Sequence, residues 1–186
     1  RFIVTEQLAG IGRAAQAVLI EPEGRNTGPA VLAAALSAAG TAPDGMLLVC
    51  PSDHAITDVE AFQEAVRAGV AAAKDGQLVT FGIAPDRAET GYGWLELATA
   101  PDMATAPAPA PLTRFVEKPD AATAAAMLEG GRHLWNSGIF LFRTDVILEA
   151  FARLQPEMTA AVRQAVAEAT TDLAFLRLDP EAWAAN

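Results

Sequence analysis

The chain has 186 residues and a formal net charge of −10, with only 13 Lys and Arg residues. The basic residues are scattered along the sequence, which argues against nucleic acid as a partner. No apolar stretch approaches the roughly 18 residues that a membrane span requires, so we expect no membrane association. A single cysteine excludes an internal disulfide and fits a reducing compartment. These features predict a cytoplasmic protein.

The composition is 52% hydrophobic and 19% charged, which is ordinary for a compact domain with a substantial core. We expect residues 1–186 to form one domain. The sequence begins at Arg1 without a methionine and stops at Asn186 without a tail, so we expect a piece of a longer protein, incomplete at both ends. The sequence leaves homo-oligomerisation open.

Apolar periodicity and turn residues predict helices and strands that alternate along much of the chain. The predicted helices cover 2–8, 30–39, 58–74, 121–128, 144–151 and 156–169, and the predicted strands cover 17–20, 47–50, 78–83, 94–97, 112–116 and 139–142. Strands that alternate with helices are typical of parallel sheets with helical crossovers. The pattern therefore predicts an α/β fold with a mixed, mostly parallel central sheet flanked by helices.

The apolar strand 47–50 stops at Pro51 and is followed at once by Ser52 and Asp53. In open α/β sheets the ligand crevice lies outside the carboxyl ends of the strands, so Asp53 is a candidate magnesium or substrate ligand. The alternative is that Asp53 caps the next helix. Thr57 and Asp58 are better placed for that role, which favours the ligand hypothesis.

Four further segments carry polar or turn-forming residues where predicted strands or helices begin or end. The loop 21–29 joins a strand to a helix amino terminus and could bind an anion, although an ordinary connection would have the same spacing. Gly91 and Gly93 allow close approach of a ligand to the backbone, but a simple turn is the alternative. Glu117 and Lys118 place an acid and a base at a strand end before Pro119, and residues 135–138 form the loop that enters the strand 139–142.

The sequence lacks the glycine-rich dinucleotide motif, the phosphate-binding loop motif and the nucleophile-elbow motif. Nothing positive therefore favours a dehydrogenase or a serine hydrolase.

Five short strings together resemble, in order and spacing, those of the mannose-1-phosphate guanylyltransferases, also called GDP-mannose pyrophosphorylases. The similarity spans nearly the whole chain and is strongest to the long bacterial type. The strings are Glu21-Pro22-x-x-Arg25-Asn26-Thr27, Pro51-Ser52-Asp53-His54, Glu89-Thr90-Gly91-Tyr92-Gly93, Phe115-Val116-Glu117-Lys118-Pro119-Asp120 and Trp135-Asn136-Ser137-Gly138-Ile139-Phe140.

The resemblance implies a Rossmann-like nucleotidyltransferase fold. It also implies an enzyme that makes GDP-mannose and pyrophosphate from GTP and mannose 1-phosphate, using Mg²⁺. Members of the family have a Gly-rich triphosphate loop before the position of Arg1 and a Ser-x-Asp-Tyr segment after that of Asn186. Neither segment is contained in residues 1–186, and the full-length reading frame decides whether the protein has them.

The resemblance also implies roles for individual residues. Asp53 corresponds to the magnesium ligand, and Lys118 to the residue that holds the sugar phosphate. Glu21 is the candidate for base recognition, because one carboxylate can accept from both N1–H and the exocyclic amine of guanine. The remaining candidates are substrate-binding residues: Arg25 and Asn26 beside the nucleotide, Ser52 beside Asp53, Gly91, Tyr92 and Gly93 in a loop that closes on the sugar, and Glu117 and Asn136 at the sugar hydroxyls.

Two alternatives stay open at this point. One is a nucleotidyltransferase for another hexose 1-phosphate, which the string at Trp135 and the acid at Glu21 make less favourable. The other is a catalytically silent regulatory subunit that binds nucleotide sugars. The full-length reading frame distinguishes the second alternative from an enzyme, since an upstream Gly-rich loop favours the enzyme.

Overall fold

The computed structural model describes residues 2–173 and 175–185, which form helices and strands in alternation. The helices are α1 (Phe2–Gly10), α2 (Thr27–Ala39), α3 (Val59–Lys74), α4 (Ala121–Gly130), α5 (Thr144–Leu154), α6 (Pro156–Ala167) and α7 (Pro180–Ala184). The strands are β1 (Leu19–Ile20), β2 (Met46–Val49), β3 (Val79–Ile83), β4 (Gly93–Leu97), β5 (Leu112–Glu117), β6 (His133–Arg143), β7 (Thr170–Asp172) and β8 (Phe175–Arg177).

The chain divides into two compact units, Arg1–Gly45 with Ile147–Asn186 and Met46–Val146. Each unit has its own sheet and its own buried cluster, and each is described by itself below. That residues 1–186 form one domain stays a prediction.

The second unit is built on a five-stranded sheet in which β6 pairs with β2, β3 and β4, and β4 also pairs with β5. Helix α3 packs against this sheet, where Gly69 lets it approach Val79 and Leu141 closely. Helix α4 covers another part, with Ala124 and Met127 buried against Trp94 and Trp135.

The α/β prediction is confirmed, but the mostly parallel character is wrong. All the pairings of the five-stranded sheet are antiparallel, and within the described residues only β1 and β8 pair in parallel. Strands β2 and β3 do run in the same direction, as a helical crossover predicts. They are not neighbours, however, because Phe140 of β6 pairs with Val49 on one edge and with Thr80 on the other.

The prediction that residues 135–138 form a loop is also wrong, because they lie inside the eleven-residue strand β6. Turn-forming residues in this string hid the strand from the sequence pattern. The structure also contains β7, β8 and α7, which the sequence analysis did not predict. Strands of three residues are too short to show a periodicity.

The first unit combines a small sheet with α1, α2, α6, α7 and most of α5. Strand β8 pairs in parallel with β1 and antiparallel with β7. Its core contains Leu32 of α2, Val162 of α6 and Trp183 of α7, all with no exposed surface. The Trp183 indole N–H donates to the Glu23 carbonyl oxygen at 3.0 Å, which attaches α7 to the loop after β1.

Local sequence signals account for several helix ends. The Asp58 carboxylate accepts a hydrogen bond from Ala61 N at 3.0 Å and caps α3, as predicted. Gly131 ends α4 in the left-handed conformation with φ of 66°, which glycine adopts without strain. Among the described residues, no helix combines the length and the apolar character that crossing a membrane would require.

Leu32→Ala tests the core of the first unit. We expect it to lower the free energy of unfolding by about 2–5 kcal/mol, because it removes buried methyl groups and leaves a cavity. Leu154→Ala is the matched control, since Leu154 is 64% exposed at the end of α5 and should change stability by about 0.5 kcal/mol or less. Urea denaturation of both variants measures the difference, and equal losses would contradict the assignment of the core.

Candidate functional site

The central feature of the second unit is a gap in strand pairing along one edge of β6. Strand β2 pairs with residues 140–143 of β6, and β4 pairs with residues 133–135. Both lie on the same edge, because β3 occupies the opposite one at Phe140 and at Trp135. Residues 136–139 therefore have no strand partner on this edge among the residues that the structure describes, and we call this gap the β6 opening.

The backbone of β6 is also irregular at the opening. Asn136 pairs with Gly82 and Phe140 with Thr80, so three residues of β6, 137–139, stand opposite Phe81 alone. Gly138 has φ of 72°, and the Ser137 hydroxyl oxygen accepts from Ile139 N at 3.1 Å. Such bulges bend a strand and redirect its side chains, and they occur often beside active sites. The irregularity therefore determines how Asn136 is presented.

Asn136 is held by a neighbouring strand. The Thr80 hydroxyl donates to Asn136 Oδ1 at 2.8 Å and also lies 3.2 Å from the Ile139 carbonyl oxygen. The Asn136 amide nitrogen makes no hydrogen bond to any described residue, so its two N–H groups are free to donate to a ligand. Thr80 was missed by the sequence analysis, because an orienting residue on another strand leaves no local signal.

The segment after β2 reaches the same opening. Strand β2 ends at Val49 opposite Phe140, and the Pro51 ring lies against Gly138, 3.5 Å from where a β-carbon would stand. Ser52 and Asp53 follow directly and are exposed. Neither makes a side-chain hydrogen bond or ion pair within the described part of the chain. Their side chains are therefore available to a ligand.

Asp53 fits a divalent cation as a single protein ligand. Among residues 2–173 and 175–185, no group of three or more His, Cys, Asp or Glu is arranged to hold a metal. Mg²⁺ is commonly bound through one or two carboxylates together with substrate phosphates and water, so a lone exposed acid is compatible with it.

Gly93 and Glu117 face each other where β4 begins and β5 ends. A β-carbon at Gly93 would lie 2.9 Å from Glu117 Oε2 and 2.7 Å from the Phe115 ring. In this arrangement the glycine leaves space for the Glu117 carboxylate and the Phe115 ring. The pairing places Glu117 beside the first residue of β4, next to the loop that contains Gly91 and Tyr92.

Lys118 follows β5 in a strained conformation. Its φ is 44°, which is uncommon for a residue with a side chain and costs about 1–3 kcal/mol. Its backbone N–H donates to the Tyr92 carbonyl oxygen at 3.2 Å. This bond connects Lys118 to the loop of Gly91, Tyr92 and Gly93, which we call the glycine loop. Its ammonium group lies 3.7 Å from Glu117 Oε1, and both side chains are at least 60% exposed. An exposed pair of this kind is weak, so Lys118 can pair with a phosphate instead.

The first unit contains the candidate residues Glu21, Arg25 and Asn26. Glu21 lines two cavities of about 370 and 470 Å³, the first mostly apolar and the second containing charged side chains of Glu168, Arg177 and Asp179. Glu21 Oε1 is buried without a hydrogen-bond partner among the described residues. Burial raises the pKa of this carboxyl group, because it disfavours the charged form. The Glu21 carboxylate therefore has an oxygen that can accept a hydrogen bond and that no donor among the described residues reaches.

Asn26 and Arg25 differ in the hydrogen bonds that their side chains make. Asn26 precedes α2 with φ of 37°, and its side chain does not cap the helix. Arg25 donates through Nε and Nη2 to Glu23 Oε1, at 3.0 and 2.6 Å, and through Nη2 to the Ala184 carbonyl oxygen at 3.2 Å. These contacts give Arg25 a structural role in the first unit, and its contact with a nucleotide stays a prediction.

Sequence comparison finds relatives over the full length of the chain. The chain is 48% identical over 186 residues to the xanthan biosynthesis protein XanB of Xanthomonas campestris pv. campestris (strain B100), covering 100% of this chain and 38% of that protein. It is 44% identical over 187 residues to mannose-1-phosphate guanylyltransferase ManC of Salmonella typhimurium (strain LT2), covering 100% of this chain and 39% of that protein. The chain thus spans about two fifths of the length of these curated relatives.

Structure comparison gives a consistent result. The crystal structure of mannose-6-phosphate isomerase from Helicobacter pylori superposes with a TM-score of 0.81 and 28% identity, covering 97% of this chain and 68% of that one. The family model described as nucleotidyl transferase matches residues 1–184. The chain therefore belongs to the nucleotidyl transferase family.

Proposed function

We propose that this chain is the nucleotidyltransferase part of a mannose-1-phosphate guanylyltransferase. The reaction transfers GMP from GTP to mannose 1-phosphate and yields GDP-mannose and pyrophosphate. Family membership and the names of the relatives support this class of reaction. The observation that carries the proposal is the β6 opening, where the ends of β2 and β5 and the start of β4 bring the predicted sugar-phosphate residues to one interrupted strand. Cytoplasmic location and homo-oligomerisation stay predictions.

The chemistry requires positioning and neutralisation of charge. A phosphate oxygen of mannose 1-phosphate attacks the α-phosphorus of GTP in line, and a new P–O bond forms as the bond to the β-phosphate oxygen breaks. Pyrophosphate takes the electron pair of the broken bond. Lys118 supplies a positive charge to the sugar phosphate and reduces the repulsion between the two reacting phosphates.

The sugar is held by groups around the β6 opening. Asn136 donates through the amide nitrogen that Thr80 leaves free, and Glu117 accepts from a sugar hydroxyl. Gly91, Tyr92 and Gly93 line the sugar, with Gly93 keeping space for Glu117. Ser52 contributes a hydroxyl next to Asp53.

Nucleotidyl transferases generally use a divalent metal ion, and Asp53 is the residue that would hold Mg²⁺ here. When bound, the ion would stabilise negative charge on the triphosphate. The role of the chain itself is to present one exposed carboxylate directly after the Pro51 turn.

Base recognition is assigned to the first unit. The unpartnered Oε1 of Glu21 can accept a hydrogen bond from guanine, whose N1–H and exocyclic amine are both donors. Adenine presents an acceptor at the equivalent ring nitrogen, which would face the carboxylate unfavourably. Asn26, whose side chain does not cap α2, is a second contact to the nucleotide.

Lys118→Ala tests the phosphate role. We expect kcat/KM for mannose 1-phosphate to fall about 10²-fold or more, because a charge that stabilises the transition state is lost. Lys74→Ala is the matched control, since Lys74 is the only other lysine of the chain and lies in the last turn of α3. Steady-state kinetics of the full-length protein provide the measurement, and unchanged turnover in Lys118→Ala would refute the role.

Asp53→Asn tests the metal ligand. The Mg²⁺ concentration for half-maximal activity should rise at least about tenfold, because a direct ligand is worth no less than the outer-shell groups whose loss weakens metal sites 10- to 100-fold. Asp44→Asn, at another exposed acid, should leave the Mg²⁺ titration unchanged. If both variants titrate like the wild type, Asp53 does not bind the ion.

Glu21→Gln tests base recognition. We expect the preference for GTP over ATP to fall roughly 10- to 100-fold, because a hydrogen bond to a charged group contributes about 1.5–3 kcal/mol. Since burial raises the pKa of Glu21, the wild-type preference should also weaken as the pH falls and the carboxylate becomes protonated. Glu6→Gln, in the exposed part of α1, is the control. An undiminished preference for GTP in Glu21→Gln would contradict the assignment.

A further inference from the structure

The loop between β3 and β4 is organised around Arg87, a residue that the sequence analysis did not select. The Arg87 guanidinium carbon lies 4.8 Å from the centroid of the Trp135 ring. Arg87 Nη1 donates to Asp86 Oδ1 at 3.0 Å, and Nε and Nη2 donate to Glu89 Oε2 at 3.2 and 3.1 Å. The guanidinium thus links the Asp86 and Glu89 carboxylates of the loop to Trp135 of β6.

Glu89 connects Arg87 to the glycine loop through hydrogen bonds. Its second oxygen, Oε1, accepts from Gly91 N at 2.9 Å, and its carbonyl oxygen accepts from the Trp94 indole N–H at 2.8 Å. The hydrogen bond from Gly91, followed by that from Arg87, lowers the pKa of the Glu89 carboxyl group. Glu89 is therefore charged at neutral pH and connects Arg87 to Gly91.

Tyr92 completes the connection to the catalytic lysine. The Tyr92 ring meets the Trp135 ring edge-on, with centroids 5.4 Å apart, and its carbonyl oxygen accepts from Lys118 N. The Trp135 indole N–H has no hydrogen-bond partner among the described residues, so ring contacts and packing orient this side chain. Arg87 stacks on the same ring that Tyr92 touches.

We propose that Arg87 is a positioning residue for the sugar-phosphate end of the site. It acts through Glu89 and Trp135 on the glycine loop and, through the Tyr92 carbonyl, on the backbone of Lys118. This inference rests on the proposed function, because the loop and Lys118 are assigned there to mannose 1-phosphate. Arg87 is 54% exposed and its ion pairs are solvated, so its main effect is on loop geometry and not on global stability.

The test combines a structural and a binding measurement on Arg87→Ala in the full-length protein. Hydrogen exchange without substrate should be faster at the amides of Gly91 and Lys118, because both lose their ordered acceptors. The dissociation constant for mannose 1-phosphate, measured by calorimetry, should rise roughly 3- to 10-fold, as expected for loss of a cation–π contact and a paired guanidinium. The dissociation constant for GTP should not change.

Two further variants sharpen the result. Arg114→Ala removes another exposed arginine of the same sheet, which pairs with Glu96 at 3.4 Å, and should leave exchange and sugar-phosphate affinity unchanged. Arg87→Lys keeps the charge but cannot form the fork to Asp86 and Glu89 while stacking on Trp135, so it should behave like Arg87→Ala. A lysine variant indistinguishable from the wild type would overturn the proposed geometry.

The outcomes separate this inference from the proposed function. If the wild type binds mannose 1-phosphate and Arg87→Ala binds it equally well, the inference is wrong and the proposed function stands. Unchanged exchange at Gly91 and Lys118 in Arg87→Ala would also overturn the inference. A wild-type protein that binds no mannose 1-phosphate would refute the proposed function, and the positioning role with it.

Discussion

The interruption of β6 is the constraint on which the second unit depends. A continuous antiparallel strand would pair along its whole length and leave no unpaired backbone N–H or C=O groups for a ligand. Here residues 136–139 have neither a strand partner on one edge nor regular register on the other. Positive φ at Gly138 and the Ser137 hydroxyl stabilise this irregular backbone, and the neighbouring strands end at the same place. A local defect in pairing thus produces the candidate site within an otherwise paired sheet.

Three candidate site residues, Glu21, Asn26 and Lys118, are in conformations or surroundings that lower the stability of the fold. Asn26, Lys118 and Leu173 are the residues other than glycine with positive φ among those described, and two of the three were selected as site residues from the sequence. Glu21 adds a buried oxygen that no donor in the described part of the chain reaches. Strain and unpaired polar groups persist only where well-packed surroundings offset them, and they concentrate at functional sites. The buried clusters around Trp183 and Trp94 provide that support in their respective units.

Local sequence signals predicted most elements because those signals act over short range. The apolar period of α3, the Asp58 cap and the Gly131 terminus all lie within the segment that they determine. Predictions failed where pairing partners are far apart in sequence. The insertion of β6 between β2 and β3 joins residues about 60 and 90 positions apart, and no local pattern encodes it. The brief strand β8 likewise depends on tertiary pairing with β1, and β7 pairs with β8 in turn.

The sequence by itself determined the chemical groups: an acid after a buried strand, a lysine after another, a glycine loop and an asparagine within a motif. It also determined the fold class, because apolar period and turn residues are local properties. Only the tertiary structure decided that Thr80 orients Asn136, that Gly93 leaves space for Glu117 opposite it, and that Arg87 stacks on Trp135. The physical reason is that these interactions join separate strands, and their distances depend on sheet register, which a linear pattern does not specify.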